Sequence, residues 1–261
     1  MKTVTRVLIT GASGTLGRKL VHHLTQRGGY DLVLLDRIAA TDDVIGADLS
    51  RRDADWPSAF SGVDCVVHLA AAARPNAPWS TFVTDNVDAT LNVFEAALAH
   101  HVPRVVFASS LQTMFGHREN APVGTDLPTA PINFYSASKV FGERVAKWFS
   151  EQGLSVICLR LGAVYPGENR PRGARATPDD QRTWLSDGDL CRACECAILA
   201  GEVRFGVFNV TSRAPDPLWS LTETERVLGF RPVDVVSVET LSLLGRVERR
   251  LRTWRTRWLG K

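Results

Sequence analysis

Seven short apolar runs alternate along the chain with longer amphipathic stretches. The runs span 4–10, 31–36, 44–47, 64–69, 104–109, 154–161 and 206–210. Helical periodicity follows the first run to about residue 27 and recurs over 80–100, 134–151 and 187–200. Continuous apolar strands separated by helices are typical of a parallel sheet covered on both faces. With right-handed crossovers, this order predicts a doubly wound α/β fold.

Two segments depart from this alternation. Residues 166–183 are rich in Pro, Gly and Arg and too polar for a core, so we predict a loop or lid there. In residues 241–261 apolar side chains recur at helical spacing among basic ones, which predicts an amphipathic helix. Its apolar positions are Leu244, Val247, Leu251, Trp254 and Trp258.

The tail also explains the net charge. The 261 residues carry a net charge of +3, yet residues 241–261 hold seven basic side chains and one acidic one, so the remainder is mildly acidic. We therefore expect no nucleic-acid partner. We predict that the tail packs against the rest of the protein or a second copy, with contact to an anionic membrane surface as the less favoured alternative.

Composition excludes several protein classes. Hydrophobic residues make up 44% and charged residues 23%, as in globular proteins with a substantial core. No apolar run approaches the ~18–20 residues of a membrane span. The first ten residues lack the apolar stretch of a secretory signal, and the five cysteines do not show the spacing of a zinc site. We expect a cytoplasmic protein without a structural metal.

A glycine pattern, Gly11-x-x-Gly14-x-x-Gly17, lies between the first strand and the first helix. Glycine lets the backbone turn tightly and approach a pyrophosphate. The helix N-terminus, at Thr15 and Leu16, presents free N–H groups and the positive end of the helix dipole to the same anion. The pattern therefore predicts a dinucleotide site.

Residues after the next three strands extend this predicted site. Asp36 ends the second strand, 19 residues after Gly17. A carboxylate there binds both ribose hydroxyls of an adenosine and repels a 2′-phosphate, which favours NAD over NADP, although Arg37 would soften that preference. We expect Asp48 and Leu49 beside the adenine. The residues after the fourth strand let the cofactor lie close to the backbone: Leu69, Ala70, Ala71 and Ala72.

Three further residues predict redox chemistry. Tyr135 and Lys139 lie one turn apart on a predicted helix, and Ser110 ends the fifth strand, at the sheet edge where such folds bind ligands. The ordinary pKa of tyrosine is ~10, and a neighbouring ammonium favours the phenolate. We predict that Tyr135 removes a hydroxyl proton while hydride leaves the same carbon for a nicotinamide. Ser110 would bind the substrate oxygen, and Lys139 would also hold the nicotinamide ribose.

These motifs resemble the extended short-chain dehydrogenase/reductases of the NAD-dependent epimerase/dehydratase family, over roughly residues 4–232. The matching segments are TGASGTLG, LLDR, ADLS, VVHLAA, DNVDATLNV, VVFASS, YSASKVFGE and LRLGAVYPGE. The resemblance implies Ser110, Tyr135 and Lys139 as the catalytic triad. It also implies Asn86 as a residue that supports the lysine and the cofactor, and a homodimer formed through the helices at 80–100 and 134–151.

Within that family the chain is most similar to the uronate dehydrogenases, which oxidise hexuronates at C1 with NAD. The likeness includes SKVFGERVAKWFSEQG, TWLSDGDL and LGFRP. It implies substrate contacts at positions where this chain departs from the pattern: Leu111 and Gln112 replace Asn-His, and Ala73 and Ala163 replace serines. Ala163 is also expected beside the cofactor. The carboxylate-binding arginine has several candidates: Arg172, Arg175 and Arg182.

The sequence therefore predicts an NAD-dependent oxidoreductase acting on a sugar, a sugar acid or a similar small polyol. The alternative is a nucleotide-sugar epimerase with tightly bound NAD, since YPGENRPRG resembles the loop of such enzymes. Their substrate domain usually extends the chain well past 300 residues, which disfavours that alternative. We divide the chain into a Rossmann-like NAD-binding domain (1–165), a small substrate cap interleaved with the last strands (166–240) and the basic helical tail (241–261).

Overall fold

The computed structural model describes residues 4–52, 55–74, 76–171 and 176–237. Seven strands in this part of the chain form one parallel sheet with the order β3-β2-β1-β4-β5-β6-β7. They are β1 (Thr5–Thr10), β2 (Tyr30–Asp36), β3 (Val44–Gly46), β4 (Cys65–His68), β5 (Arg104–Ser110), β6 (Ser155–Leu161) and β7 (Phe205–Val210).

Helices connect the strands and cover both faces of the sheet. The α-helices are α1 (Thr15–Arg27), α2 (Trp79–Phe82), α3 (Ala89–Ala99), α4 (Phe134–Glu151), α5 (Pro178–Arg182), α6 (Asp187–Leu199) and α7 (Thr222–Leu228). Two 3₁₀ segments, Trp56–Phe60 and Leu111–Asn120, and a π-helical turn, Val83–Asp88, complete the described elements.

The core forms two layers because the strands are apolar on both sides. On one face, α1 and α6 pack against residues such as Val7, Ile9 and Val67. On the other face, α3 and α4 pack against residues that include Leu8 and Phe107. The doubly wound, Rossmann-like fold predicted from the alternation of strands and helices is confirmed.

The strand order positions the site. β1 lies between β2 and β4: the chain runs from β1 to β2 and β3 on one side, and then crosses over to β4 on the other side. Thr10, at the carboxyl end of β1, pairs with Leu35 on one side and His68 on the other. Connections that diverge from this point leave a crevice outside the carboxyl ends of the strands, where doubly wound folds bind ligands.

The helix predicted over 80–100 is interrupted. It comprises α2, the π-helical turn and α3 in succession. A π turn places an additional residue in the helix, and such turns are frequent at functional sites. Here the turn carries Asn86, which is 2% exposed. The periodic pattern predicted the helical span but not this interruption.

Some predictions concern parts of the chain that the structure does not describe. The tail over 241–261 and the arginines at 172 and 175 lie outside the described residues. Within the described ranges, none of the helices has both the length and the apolar character needed to cross a bilayer. The same ranges contain no group of three or more His, Cys, Asp or Glu side chains that could hold a metal ion.

Candidate active site

The glycine turn after β1 is shaped by close backbone packing. Gly11 has φ +71°, and a Cβ there would lie 2.7 Å from the Ala70 nitrogen. A Cβ on Gly17 would lie 2.1 Å from the Gly11 oxygen. Both positions therefore require glycine, and the turn presses against the segment after β4. Gly14 caps α1 without a side-chain hydrogen bond, which leaves the N–H groups at the helix start to face an anion.

A cleft of about 840 Å³ runs along the carboxyl edge of the sheet. It is lined by the glycine turn and by residues that follow β2, β4, β5 and β6, together with the start of α4. The structure brings together most of the predicted site residues as lining: Gly11, Gly14, Thr15, Leu16, Gly17, Asp36, Arg37, Leu49, Leu69, Ala70, Ala71, Ala73, Ser110, Leu111, Gln112, Tyr135, Lys139 and Ala163. The backbone contacts of glycine and the carboxylate after β2 fit the pyrophosphate and adenosine ribose of NAD.

Charged side chains organise the adenosine end of this cleft. The Asp36 carboxylate accepts hydrogen bonds from the backbone N–H groups of Ser13 (3.0 Å) and Ile38 (3.1 Å), which fixes its position at the end of β2. Arg37 binds Asp85 through both Nη atoms, at 2.6 and 3.3 Å. That hydrogen-bonded pair raises the pKa of the Arg37 guanidinium above its ordinary value.

Asp48, predicted to lie beside the adenine, turns its carboxylate towards Ser50. It accepts hydrogen bonds from the Ser50 hydroxyl (2.7 Å) and N–H (3.1 Å), and the hydroxyl bond is the main reason that the pKa of Asp48 falls below its usual value. Leu49 and Ala47, its neighbours, line the cleft instead. The carboxylate thus holds the loop after β3 in shape.

Asn86 joins the loop after β4 to the helix that carries the tyrosine. Its Oδ1 accepts a hydrogen bond from the Ala72 N–H (2.7 Å), and its Nδ2 donates to the Ala72 carbonyl (3.2 Å) and to Ser138 Oγ (2.8 Å). Ser138 Oγ in turn donates to the Tyr135 carbonyl at 2.7 Å. In the described part of the chain Asn86 thus bonds to Ala72 and to Ser138, the neighbour of Lys139, and not to Lys139 itself.

Ser110, Tyr135 and Lys139 lie close together in the cleft, and the part of the cleft around these three residues is called the reacting end here. A capping box at Asn133 starts α4 and places Tyr135 in its first turn, within hydrogen-bond reach of the Ser110 side chain. Ser110 also accepts a hydrogen bond from the Gln112 N–H at 3.2 Å. Lys139 is 3% exposed, and its Nζ lies 5.9 Å from the centroid of the Tyr135 ring.

Burial is the main cause of the pKa shifts of Lys139 and Tyr135. It lowers the pKa of Lys139 from 10.5 to about 8, because a buried ammonium loses hydration. It also raises the pKa of Tyr135, while the hydrogen bond with Ser110 acts in the opposite direction. The sequence predicted a Tyr135 pKa lowered by Lys139; in the protein itself burial of the phenol raises that pKa, and the opposing effect comes from Ser110.

A buried polar network, which no sequence motif predicted, lies behind these three residues. Ser109 Oγ donates to Glu143 at 2.6 Å, and Arg160 holds the same carboxylate with two hydrogen bonds of 2.8 Å. The network links β5, β6 and α4, so it fixes the end of β5 against the helix that carries Lys139. The sequence feature that could have indicated this network is Glu143, which lies four residues after Lys139 on the same helical face.

Three further residues of the cleft lining were not predicted from the sequence: Arg74, Phe115 and Tyr165. Pro166 and Thr183, the two ends of the predicted loop, also line the cleft. Among the predicted substrate contacts, Leu111 is fully buried in an apolar cluster with Met114 and Trp219. Gln112 accepts a hydrogen bond from Asn133 Nδ2 at 3.0 Å. Arg182 instead pairs with Asp216 (2.6 Å) and Asp179 (3.2 Å).

Known proteins share this architecture. The family model of the NAD dependent epimerase/dehydratase family matches residues 7–178. The chain is 33% identical to the L-arabinose 1-dehydrogenase (NAD(P)(+)) of Haloferax volcanii over 255 residues, covering 88% of this chain and 96% of that one. It is 30% identical to the uronate dehydrogenase of Pseudomonas putida over 237 residues, covering 88% and 84%.

A solved structure agrees with these relatives. The crystal structure of a mutant uronate dehydrogenase from Agrobacterium tumefaciens, complexed with NAD, superposes with a TM-score of 0.76 at 26% identity. The superposition covers 96% of this chain and 89% of that one. The family and the cofactor predicted from the motifs are confirmed. The chain thus belongs to the NAD dependent epimerase/dehydratase family, as an NAD-dependent dehydrogenase of the extended short-chain type.

Proposed function

We propose that this dehydrogenase oxidises a hydroxyl group of a sugar or sugar acid, with Tyr135 as the general base. The observation that carries the proposal is that Ser110, Tyr135 and Lys139 line the same cleft as the glycine turn and Asp36. A cofactor seated on the glycine turn and Asp36 would extend toward these three residues. The relatives named for L-arabinose and uronate support a substrate of this size and class.

Each residue has one task in this reaction. The Tyr135 phenolate accepts the proton of the substrate hydroxyl, and the Ser110 hydroxyl donates a hydrogen bond to the substrate oxygen. The Lys139 ammonium stabilises the phenolate, and its pKa of about 8 keeps it largely protonated at neutral pH. When bound, NAD supplies the acceptor for the hydride that leaves the same carbon. Asn86, through Ser138, holds the base and the loop after β4 in register.

The proposal is tested with purified protein, NAD and a panel of free sugars and sugar acids, followed at the nicotinamide absorbance. Tyr135→Phe is expected to lower kcat by about 10²- to 10⁴-fold, since it removes the general base, while NAD binding stays nearly unchanged. Tyr30→Phe is the matched control, because the Tyr30 hydroxyl bonds to Glu195 of α6 and Tyr30 does not line the cleft. Undiminished turnover in Tyr135→Phe would refute the mechanism.

The same panel addresses the epimerase alternative. A dehydrogenase converts added NAD to NADH in proportion to the sugar consumed. Protein that retains NAD through purification and interconverts UDP-hexoses without net reduction would instead be an epimerase.

We further propose that the enzyme is a homodimer through α3 and α4. A groove of about 570 Å³ between these helices is lined by apolar side chains, among them Leu91, Leu98 and Val145, and Trp148 at its edge is 55% exposed. An apolar groove flanked by an exposed tryptophan is typical of a surface that a second copy covers. Trp148→Glu is expected to convert dimer to monomer in light scattering after size exclusion.

A cytoplasmic location is proposed from the thiols. All five cysteines are free, and four of them are buried. Burial raises the pKa of Cys65 and Cys191 to about 12, which makes them poor nucleophiles and suits a structural role in a reducing compartment.

A further inference from the structure

Arg74 is an exposed cation in the lining of the cleft. It follows Ala73 in the loop after β4 and lines the same cleft as Tyr135. Two other cations line the described part of the cleft: Arg37, which is paired with Asp85, and Lys139, which belongs to the catalytic group. Arg74 makes no ion pair within the described residues, so its guanidinium has five N–H donors to offer a ligand.

Hydrogen bonds tie the loop that carries Arg74 to the helix that carries the base. Asn86 binds both the N–H and the carbonyl of Ala72 and also Ser138, whose hydroxyl bonds to the Tyr135 carbonyl. Arg74 is two residues beyond Ala72, which limits the separation of their Cα atoms to about 7 Å. The Ala77 N–H then donates to the Arg74 carbonyl at 3.0 Å and closes a turn at this point.

The charges along the cleft are unevenly distributed. The acidic residues of the described lining, Asp36 and Asp85, lie at the adenosine end. The cations of the described lining that do not pair with these two carboxylates are Lys139 and Arg74, and its other polar side chains, such as Gln112 and Thr183, are neutral. A positive potential around Lys139 and Arg74 favours a substrate that bears a negative charge.

We infer that Arg74 binds an anionic group of the substrate, a carboxylate or a phosphate, and so selects acidic sugars over neutral ones. The inference rests on the proposed function, and it assigns to that site a specificity residue and a substrate class. The planar guanidinium fork donates two parallel hydrogen bonds to either anion, which a neutral hydroxymethyl group cannot replace.

The test compares sugars that differ in one group. Glucose, glucuronate and glucose 6-phosphate present a hydroxymethyl, a carboxylate and a phosphate on the same ring, so their kcat/KM values separate charge from ring recognition. The wild-type enzyme is expected to prefer one of the two anionic sugars over glucose, and the preferred one identifies the source of the anion. Arg74→Met is expected to lower kcat/KM for that sugar about 10- to 100-fold, mainly through KM, and to leave glucose unchanged.

Two more variants make the outcome decisive. Arg74→Lys is expected to recover part of the loss, since it restores the charge without the fork. Arg144→Met, at an exposed arginine of α4 that does not line the cleft, is the control for loss of a surface cation. An equal loss for charged and neutral sugars, or a rise in KM for NAD instead of the sugar, would overturn the inference. If wild-type protein reduces NAD with none of the sugars in the broader panel, it is the proposed function that fails.

Discussion

Burial of the Lys139 ammonium lowers the free energy of unfolding, so replacing Lys139 with an uncharged residue should stabilise the protein. Its pKa of about 8, against 10.5 for an ordinary lysine, means that the protonated form is disfavoured by burial. At pH 7 this shift corresponds to about 3 kcal/mol of stability forgone. Lys139→Met removes the buried charge while keeping a long side chain, and it loses the cation–π contact with Phe107 at 5.0 Å, worth about 0.5–1 kcal/mol. We therefore expect the inactive variant to be about 2 kcal/mol more stable at pH 7.

The stability difference between the wild type and Lys139→Met should decrease as pH rises. Between pH 8 and 10.5 the unfolded chain still binds the lysine proton that the folded protein has released, so the wild type gains stability as pH rises. By pH 9.5 the cost falls to about 1.4 kcal/mol, and the advantage of Lys139→Met should nearly vanish.

Thermal unfolding at a fixed protein concentration and without NAD measures this effect. For a chain of this size, about 2 kcal/mol corresponds to a rise of about 4–8 °C in Tm at pH 7. Lys147→Met is the matched control on the same helix, since Lys147 has a half-exposed side chain paired with Glu151 at 3.3 Å. A Lys139→Met variant that is no more stable than the wild type at pH 7, or whose advantage persists at pH 9.5, would refute the reasoning.

Two further predictions concern the cofactor end and the loop clamp. Asp36→Ala should weaken NAD more than NADP in binding titrations, because it removes the ribose ligand and the charge that repels a 2′-phosphate; an equal loss for both would show that Asp36 serves only to hold Ser13 and Ile38. Asn86→Ala should lower stability by about 2–4 kcal/mol and also lower kcat, because it leaves Ala72 unbonded and frees the loop from α4. Thermal unfolding with kinetics on the same sample measures both effects, and a loss of stability at unchanged kcat would contradict a positioning role.

Local sequence signals predicted the fold and the chemical core of the site. The glycine spacing, the carboxylate 19 residues later and the Tyr-Lys pair are short-range patterns whose geometry follows from one strand, one turn or one helix. Each of these residues lines the cleft. Short-range patterns suffice here because parallel strands bring their carboxyl ends to one edge.

The residues that were missed depend on tertiary contacts. Glu143 and Arg160 are 17 positions apart, and only the packing of α4 on β6 shows that they form a buried pair. In the sequence Arg74 resembles other loop arginines. Only the structure shows that it lines the cleft and has no ion-pair partner among the described residues. The π turn carries Asn86, whose side chain bonds both to the loop after β4 and to α4, and hydrophobic periodicity does not record such contacts.

Because Arg37 is already paired with Asp85, the 2′-phosphate of NADP can bind Arg37 only by displacing the Asp85 carboxylate. A 2′-phosphate at the ribose can gain only the difference between its own pairing with Arg37 and that of the carboxylate it displaces, and the released Asp85 then repels it. Salt weakens the pair that is lost and the pair that is formed to a similar extent, but it also screens the repulsion of the 2′-phosphate by Asp36 and Asp85. The preference for NAD over NADP should therefore decrease as ionic strength rises.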